Sequence, residues 1–241
     1  MTASEPGRLD DGSLGALLRG ARLIFDKDWT IERRSREVAF SMLTFSLLAT
    51  LVFALGFYVD DDKVRAYVPG ILWVVVLFAG TLGLGRLFDS ERESDCLGGL
   101  LLSPLEPRAL YLGKLLVQLV FVGAMELCTL PVLFLFFDVF QLLDARSATW
   151  LTLVIVLGTI GFSIVGTLFA ALLLDVRMRE VLLPIVVYPL VTPVFIEGVS
   201  ATRALLSDPR ADVLDWVMLM AAFDCIYLGL AVALFPKLVR G

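Results

Sequence analysis

The chain has 241 residues, of which 59% are hydrophobic and 19% charged, and its mean hydropathy is +0.87. A soluble domain carries about a quarter charged residues, so this composition predicts an integral membrane protein and excludes an ordinary soluble domain. There is no histidine, which removes the commonest metal ligand and the usual proton shuttle near neutral pH. We expect no metal or cofactor bound by this chain, and, with the missing signatures described below, no catalytic residue.

The amino-terminal region predicts a polar tail followed by a helix on the membrane surface. From Ser13 onward, apolar residues recur at intervals of three and four, while charged residues fall elsewhere, which is typical of an amphipathic helix. The apolar positions are Leu14, Leu17, Leu18, Ala21, Ile24 and Phe25. Trp29 would then lie at headgroup level, just before a basic collar of Arg33, Arg34 and Arg36.

Six apolar segments are long enough to cross a hydrocarbon core, which needs about 20 helical residues. They are residues 38–58, 66–86, 114–137, 149–174, 181–199 and 213–235. Both termini, the polar interruption from Leu84 to Lys114 and the loop 175–180 then lie on one side, and this side carries 15 of the 20 Lys and Arg residues. This division predicts that both termini are cytoplasmic.

The longest polar interruption runs from Leu84 to Lys114. It begins with mixed charges, continues with a short apolar patch and ends its helix at Pro104. The charged residues are Asp89, Glu91, Arg92, Glu93 and Asp95, and the patch includes Leu97, Leu100 and Leu101. One interpretation is an ordinary solvated loop, and the other is a surface on which a cytoplasmic partner docks.

The fifth apolar segment contains three prolines, Pro184, Pro189 and Pro193, and Glu197 follows. This pattern predicts a span that kinks or turns back near the outer surface, with Pro189, Pro193 and Glu197 as a candidate outer gate. The alternative is a static kink filled by neighbouring helices.

Two carboxyl groups, Glu126 and Asp224, fall near the midpoints of the third and sixth segments. An ionised carboxylate is costly there, so we expect each to be protonated or to accept hydrogen bonds from Thr, Ser or Tyr on a neighbouring helix. A proton relay and simple helix adhesion are both open. If adhesion is the whole role, Glu126→Gln and Asp224→Asn should be mild.

Small residues at four-residue spacing predict close helix contacts within the chain, with a dimer seam as the alternative. The pairs are Ala79 with Gly83, Thr81 with Gly85, Ser163 with Thr167 and Gly166 with Ala170. Cys96, Cys128 and Cys225 are scattered without CxxC spacing, and we expect them to be buried packing residues.

Enzyme signatures are missing from the sequence. It contains no HExxH, no GxSxG and no GxxxxGK[ST] phosphate loop. If ATP drives this protein, another polypeptide must bind the nucleotide.

Several stretches resemble the CcmB family (heme exporter protein B), the permeases of cytochrome c maturation. They are PGILWVVVLFAG (69–80), RLFDSERESD (86–95), LLLSPLEPRALYLGK (100–114), ELCTLP (126–131), GFSIVGTLFAALL (161–173) and VLLPIVVYPLVTPVFI (181–196). The likeness covers nearly the whole chain, and its most specific part is the RLF, ER, LLLSP and LGK series.

The resemblance implies an all-α, polytopic permease of the ABC-2 (type V exporter-like) class in the bacterial cytoplasmic membrane. Residues 1–37 would form the tail and surface helix, and residues 38–241 the six-helix domain with a coupling segment at 86–113. The implied partners are the ATPase subunit CcmA, the membrane proteins CcmC and CcmD, and the heme-loaded chaperone CcmE, in a homodimer or hetero-oligomer. Heme would be cargo, and ATP would bind the partner.

In such a complex, Leu97, Leu100 and Leu101 would form an apolar knob seated in a groove of the ATPase. The charged residues from Asp89 to Asp95 would form the polar rim of that contact. Two alternatives stay open, a membrane scaffold that transports nothing and a generic ABC-2 exporter permease.

Overall fold

The computed structural model describes residues 14–57, 61–93, 106–174, 176–207 and 212–240, and within these ranges it contains helices and no strand. The prediction of an all-α protein is confirmed. The helices are α1 Leu14–Ser35, α2 Glu37–Gly56, α3 Asp61–Arg86, α4 Asp89–Glu93, α5 Pro107–Phe136, a single 3-10 turn Val139–Gln141, α6 Ala145–Leu172, α7 Arg179–Ser207 and α8 Leu214–Arg240.

Six of these helices, α2, α3, α5, α6, α7 and α8, are long and apolar enough to cross a membrane. The six predicted spans are therefore confirmed. The connections place the amino-terminal ends of α5 and α7 and the carboxyl-terminal end of α3 at one end of the bundle.

The centre of the bundle is formed by α6 and α3, whose apolar windows are 72% and 61% buried, against 22% for α2 and α8. Glycines explain why α6 can lie at the centre. A Cβ atom at Gly158 would lie 2.1 Å from the Trp73 ring, and one at Gly166 would lie 2.3 Å from Leu84 Cδ1. Only a glycine admits such neighbours, so the predicted close contact within the chain is confirmed at Gly166.

The α3 glycines behave differently from one another. A Cβ atom at Gly83 would lie 2.7 Å from Met42 Sδ of α2, which again is a contact within the chain. At Gly85 no atom lies within 4 Å of the added Cβ, so the space on that side of the helix is open.

Helix α7 is continuous from Arg179 to Ser207 through all three of its prolines, so the predicted turn back near the outer surface is wrong. One face of the helix stays buried along its whole length, from Leu183 to Leu205, against α3, α6 and α8. This packing offsets the backbone hydrogen bonds that the prolines remove, as is usual for proline in spanning helices.

Cys128 and Cys225 are exposed on the outer faces of α5 and α8, so the prediction that they are buried is wrong. Their apolar sequence context arises because the outside of the bundle is apolar too. Cys96 lies outside the described residues.

Candidate functional site: a buried ion cluster at one end of the bundle

Helix α1 lies against the first turns of α5, and a glycine permits the contact. A Cβ atom at Gly113 would lie 2.6 Å from Ile24 Cβ and 2.8 Å from the Ala21 carbonyl oxygen. A helix is present here as predicted, but Leu14 and Leu18 of its expected apolar face are 76% and 55% exposed, and its place on the membrane surface stays a prediction. The buried stripe instead continues from Ala21 and Ile24 to two acids, Asp28 and Glu32.

Lys114 is completely buried at the centre of this contact. Its Nζ atom lies 2.6 Å from Glu91 Oε2 and 2.9 Å from Asp28 Oδ2, and it donates a 2.9 Å hydrogen bond to the Leu87 carbonyl oxygen. Glu91 is 1% exposed and Asp28 is 8% exposed, so both carboxylates are also removed from water. The Phe88 ring lies below the ammonium group, 4.9 Å from Nζ to the ring centroid.

Lys27 supplies a second positive charge at the edge of the cluster. Its Nζ atom pairs with Glu91 and lies 3.1 Å from Asp28 Oδ1. Burial alone would lower the pKa of Lys27, but the hydrogen bond to Glu91 and the charges of Asp28 and Glu91 outweigh it and raise the pKa above its ordinary value. Two lysines therefore balance two carboxylates, which is the condition under which buried charges are tolerated.

A second ion pair joins α7 to the same region. Arg179 donates to the Asp89 carboxylate and to the Gly85 carbonyl oxygen. The pair lies next to a tight turn in which Met178 has a positive φ of 63°. Helices α1, α5 and α7 are thus all tied to α4, the short helix that follows α3. We call the group formed by Lys27, Asp28, Glu91 and Lys114 the ion cluster.

The described part of the coupling segment includes three of its predicted charged residues with their side chains. Asp89 is half-buried against Arg179, Arg92 is exposed, and Glu91 lies in the interior of this chain and not at a solvent-exposed edge. Glu91 is buried because Lys27 and Lys114 neutralise it. Asp95, Leu97, Leu100, Leu101 and Pro104 lie outside the described residues, as does the side chain of Glu93, so the apolar knob stays a prediction.

Lys27, Asp28, Lys114 and Arg179 were not singled out by the sequence analysis. A signal existed for Asp28, since it follows Ala21 and Ile24 at helical spacing and so shares their face. No comparable signal existed for Lys114, because a lysine at the start of an apolar segment normally reaches to the membrane surface.

Within the membrane spans, Glu126 accepts a 2.6 Å hydrogen bond from the Thr159 hydroxyl of α6, which confirms the expected bond to a neighbouring helix. Asp224 is 6% exposed and neither carboxylate oxygen has a hydrogen-bond partner among the described residues. The sequence predicted that each carboxyl is either protonated or hydrogen-bonded to a neighbouring helix. For Asp224 only the protonated form is left. Its Oδ1 lies 2.5 Å from where a Cβ atom of Gly161 would be, so glycine provides the space for this carboxyl.

The candidate gate residues occupy different sides of α7. Pro189 and Pro193 face the outside of the bundle, whereas Glu197 is half-buried and its Oε2 lacks a hydrogen-bond partner among the described residues. The gate stays a prediction.

These features define a class: a polytopic helical membrane protein with six spans and an amino-terminal helix held to them by buried ion pairs. The particular family follows from sequence comparison, since the CcmB protein family model matches residues 20–240. The chain belongs to this family.

Three relatives illustrate the match, and each is named heme exporter protein B. The Pseudomonas aeruginosa protein is 30% identical over 226 residues, which cover 93% of this chain and 96% of the relative. The Escherichia coli K12 protein is 32% identical over 176 residues, covering 71% and 76% of the two chains. The Rhodobacter capsulatus protein is 29% identical over 161 residues, covering 67% and 72%.

Proposed function

We propose that this chain is the membrane permease subunit of an ABC transporter for cytochrome c maturation. In this proposal a separate ATPase subunit, CcmA, docks on the coupling segment 86–113, and CcmC and CcmD complete the membrane complex. ATP hydrolysis drives either heme export or release of the heme-loaded chaperone CcmE. The names of the relatives support a role in heme export.

The ion cluster is the observation that best supports coupling. A segment that transmits force from an ATPase must be joined rigidly to the helices that it moves. Glu91 connects the beginning of this segment to α1 through Lys27 and to α5 through Lys114, and the neighbouring Asp89 connects it to α7 through Arg179. Pairs that exclude water are stiffer and less screened by salt than surface pairs.

The proposed location is the bacterial cytoplasmic membrane, with both termini in the cytoplasm. The division of basic residues supports this orientation. The ion cluster is compatible with it, because its members come from segments that the orientation assigns to the cytoplasmic side.

The docking surface is tested by Leu100→Asp, measured as the amount of ATPase subunit that co-purifies with a fixed amount of this chain. A charge in the desolvated centre of the contact should remove the ATPase and leave the abundance of this chain unchanged. Glu93→Gln at the rim is the control and should change little. Wild-type stoichiometry of the ATPase with Leu100→Asp would contradict the docking assignment.

Two adjacent residues separate docking from folding. Arg92 is exposed and Glu91 is buried, so Arg92→Gln should leave the abundance of this chain unchanged, whereas Glu91→Gln should lower it. A loss of abundance with both variants would show that this region serves folding alone. If the complex hydrolyses ATP while docking variants leave chaperone release unchanged, the scaffold alternative replaces the permease.

A further inference from the structure

A stripe of buried polar side chains on α5 and α6 runs from the ion cluster into the middle of the bundle. On α5 it comprises Lys114 and Gln118, which are one turn apart and so adjacent on the helix surface, and Glu126, which lies about two turns further along. On α6 it comprises Thr159, Ser163 and Thr167, again at intervals of four. The exposed fraction of these six residues is between 0% and 6%.

The contacts of α3 show that the two halves of the stripe lie at the same level of the bundle. Gln118 Nε2 donates a 3.1 Å hydrogen bond to the Gly80 carbonyl oxygen, and Gln118 Oε1 lies 3.2 Å from where a Cβ atom of Gly83 would be. The same turns of α3 touch α6, because Gly80 faces Phe162 and Leu84 faces Gly166. Gln118 and the α6 residue Ser163 therefore lie at the same level of the bundle.

Three polar atoms in this stripe lack a hydrogen-bond partner among the described residues. They are Gln118 Oε1, Ser163 Oγ and Thr167 Oγ1. A buried polar atom without a partner costs about 1–3 kcal/mol, and proteins usually avoid this cost by binding internal water. Three such atoms at neighbouring levels of α5 and α6 are candidate partners for bound water molecules.

Carboxyl groups lie at both ends of the stripe, those of the ion cluster at one end and that of Glu126 at the other. At one end the ion cluster adjoins a cavity of about 510 Å³, which Asp28, Lys114, Val117 and Phe121 help to line. At the other end Glu126 is held by Thr159. Twelve residues of α5 separate Lys114 from Glu126, a rise of about 18 Å at 1.5 Å per residue.

We propose that this polar stripe, filled by bound water, carries protons between the ion cluster and the carboxyl group of Glu126. A hydronium ion in the cavity supplies the proton and is left as neutral water. The proton passes along hydrogen bonds between water and hydroxyl groups and adds to the Glu126 carboxylate to form the neutral acid. The reverse transfer restores the carboxylate, so no bond other than O–H bonds forms or breaks. A carboxyl group buried in a span without a basic partner is suited to this exchange.

The surroundings of Glu126 are otherwise apolar. It lines a small cavity of about 10 Å³ with Leu72, Val75 and Val76 of α3 and with its neighbours on α5, and none of these lining residues other than Glu126 titrates. The other buried carboxyl group of the spans, Asp224, meets α6 at Gly161, on a different face from Thr159. The charged groups that face the stripe are those of the ion cluster at its far end.

Infrared difference spectroscopy of the full chain in lipid tests the proposal without an ATPase partner, so it is independent of the proposed function. Spectra recorded across a pH titration should contain a protonated-carboxyl band that Glu126→Gln abolishes. The band should shift in D2O, and the rate of this shift measures how fast protons reach Glu126. Gln118→Leu should slow the shift roughly tenfold, the factor expected for the loss of one hydrogen bond of ordinary strength.

Two further variants keep the test decisive if Gln118→Leu does not fold. Ser163→Ala and Thr167→Val remove only hydroxyl groups and should slow exchange in the same direction. Thr192→Val is the matched control, since the Thr192 hydroxyl is exposed on α7 and bonds to its own helix at the Tyr188 carbonyl oxygen. The proposal is overturned if no band depends on Glu126, or if all stripe variants exchange as fast as Thr192→Val.

Discussion

Replacing Lys114 by methionine is the most direct test of the ion cluster. Methionine has a similar length and keeps the apolar contact with Phe88, but it removes the charge that lies 2.6 Å from Glu91 and 2.9 Å from Asp28. Two buried carboxylates would then share Lys27 alone. The Leu87 carbonyl oxygen would also lose its donor.

The size of the effect follows from the residual charge. Removing one member of a buried ion pair costs about 3–5 kcal/mol, because an uncompensated charge stays behind. Since Lys27 still compensates one carboxylate, we expect the lower end, about 3 kcal/mol, which reduces the folding equilibrium constant roughly 100-fold. For a chain of this size the melting temperature should fall by roughly 6–12 °C.

The assay is thermal unfolding of the purified protein, compared with membrane abundance. Lys237→Met is the matched control, because Lys237 is exposed near the end of α8 and its replacement should change stability by about 0.5 kcal/mol or less. Adding Glu91→Leu to Lys114→Met should recover much of the loss, since Lys27 and Asp28 then balance each other. Equal melting temperatures for Lys114→Met and Lys237→Met, or a double variant no better than the single one, would refute this reasoning.

Three further predictions concern packing and buried polar atoms. Gly113→Ala should separate α1 from α5 and destabilise the protein by about 1–3 kcal/mol in thermal unfolding. The control is Gly123→Ala, which has no atom within 4 Å of the added Cβ and should stabilise the protein by up to about 1 kcal/mol. Equal effects of the two variants would contradict the close approach of α1 to Gly113. Asp224→Leu should raise the melting temperature, because it removes two buried oxygens without partners, and a fall accompanied by lost activity would instead indicate a functional carboxyl. Thr202→Val removes the 3.1 Å acceptor of the Trp73 indole and should cost about 1–3 kcal/mol, and a value near zero would mean that the indole finds another partner.

Much of the secondary structure could be predicted from the sequence. The number and approximate bounds of the spans depend on local hydrophobicity and on the length needed to cross a bilayer, and both are properties of short segments. The predicted segment 181–199 lies inside α7, which continues to Ser207. The prediction ended too early because Glu197 and Arg203 interrupt the apolar pattern, although they do not end the helix. The resemblance to the CcmB family likewise used only the order of residues, and the family model confirmed it.

The sequence did not determine which face of each span lies inside. In a soluble protein an apolar residue marks the interior, but a bilayer is as apolar as a protein core, so inward and outward faces read alike. This is why Cys128 and Cys225 were predicted to be buried and are exposed. Polar residues are the exception, and the expected bond of Glu126 to a neighbouring helix could be predicted because a carboxyl group avoids lipid.

Only the tertiary structure decided which charges meet. Asp28, Glu91 and Lys114 are far apart in sequence, and each by itself is typical of a solvated end of a helix. Their burial depends on the close approach of α1 to Gly113, which brings two carboxylates to Lys114 at the same time. Because a buried charge is stable only when all of its partners are in place, the cluster is a property of the assembled bundle and not of any one of its segments.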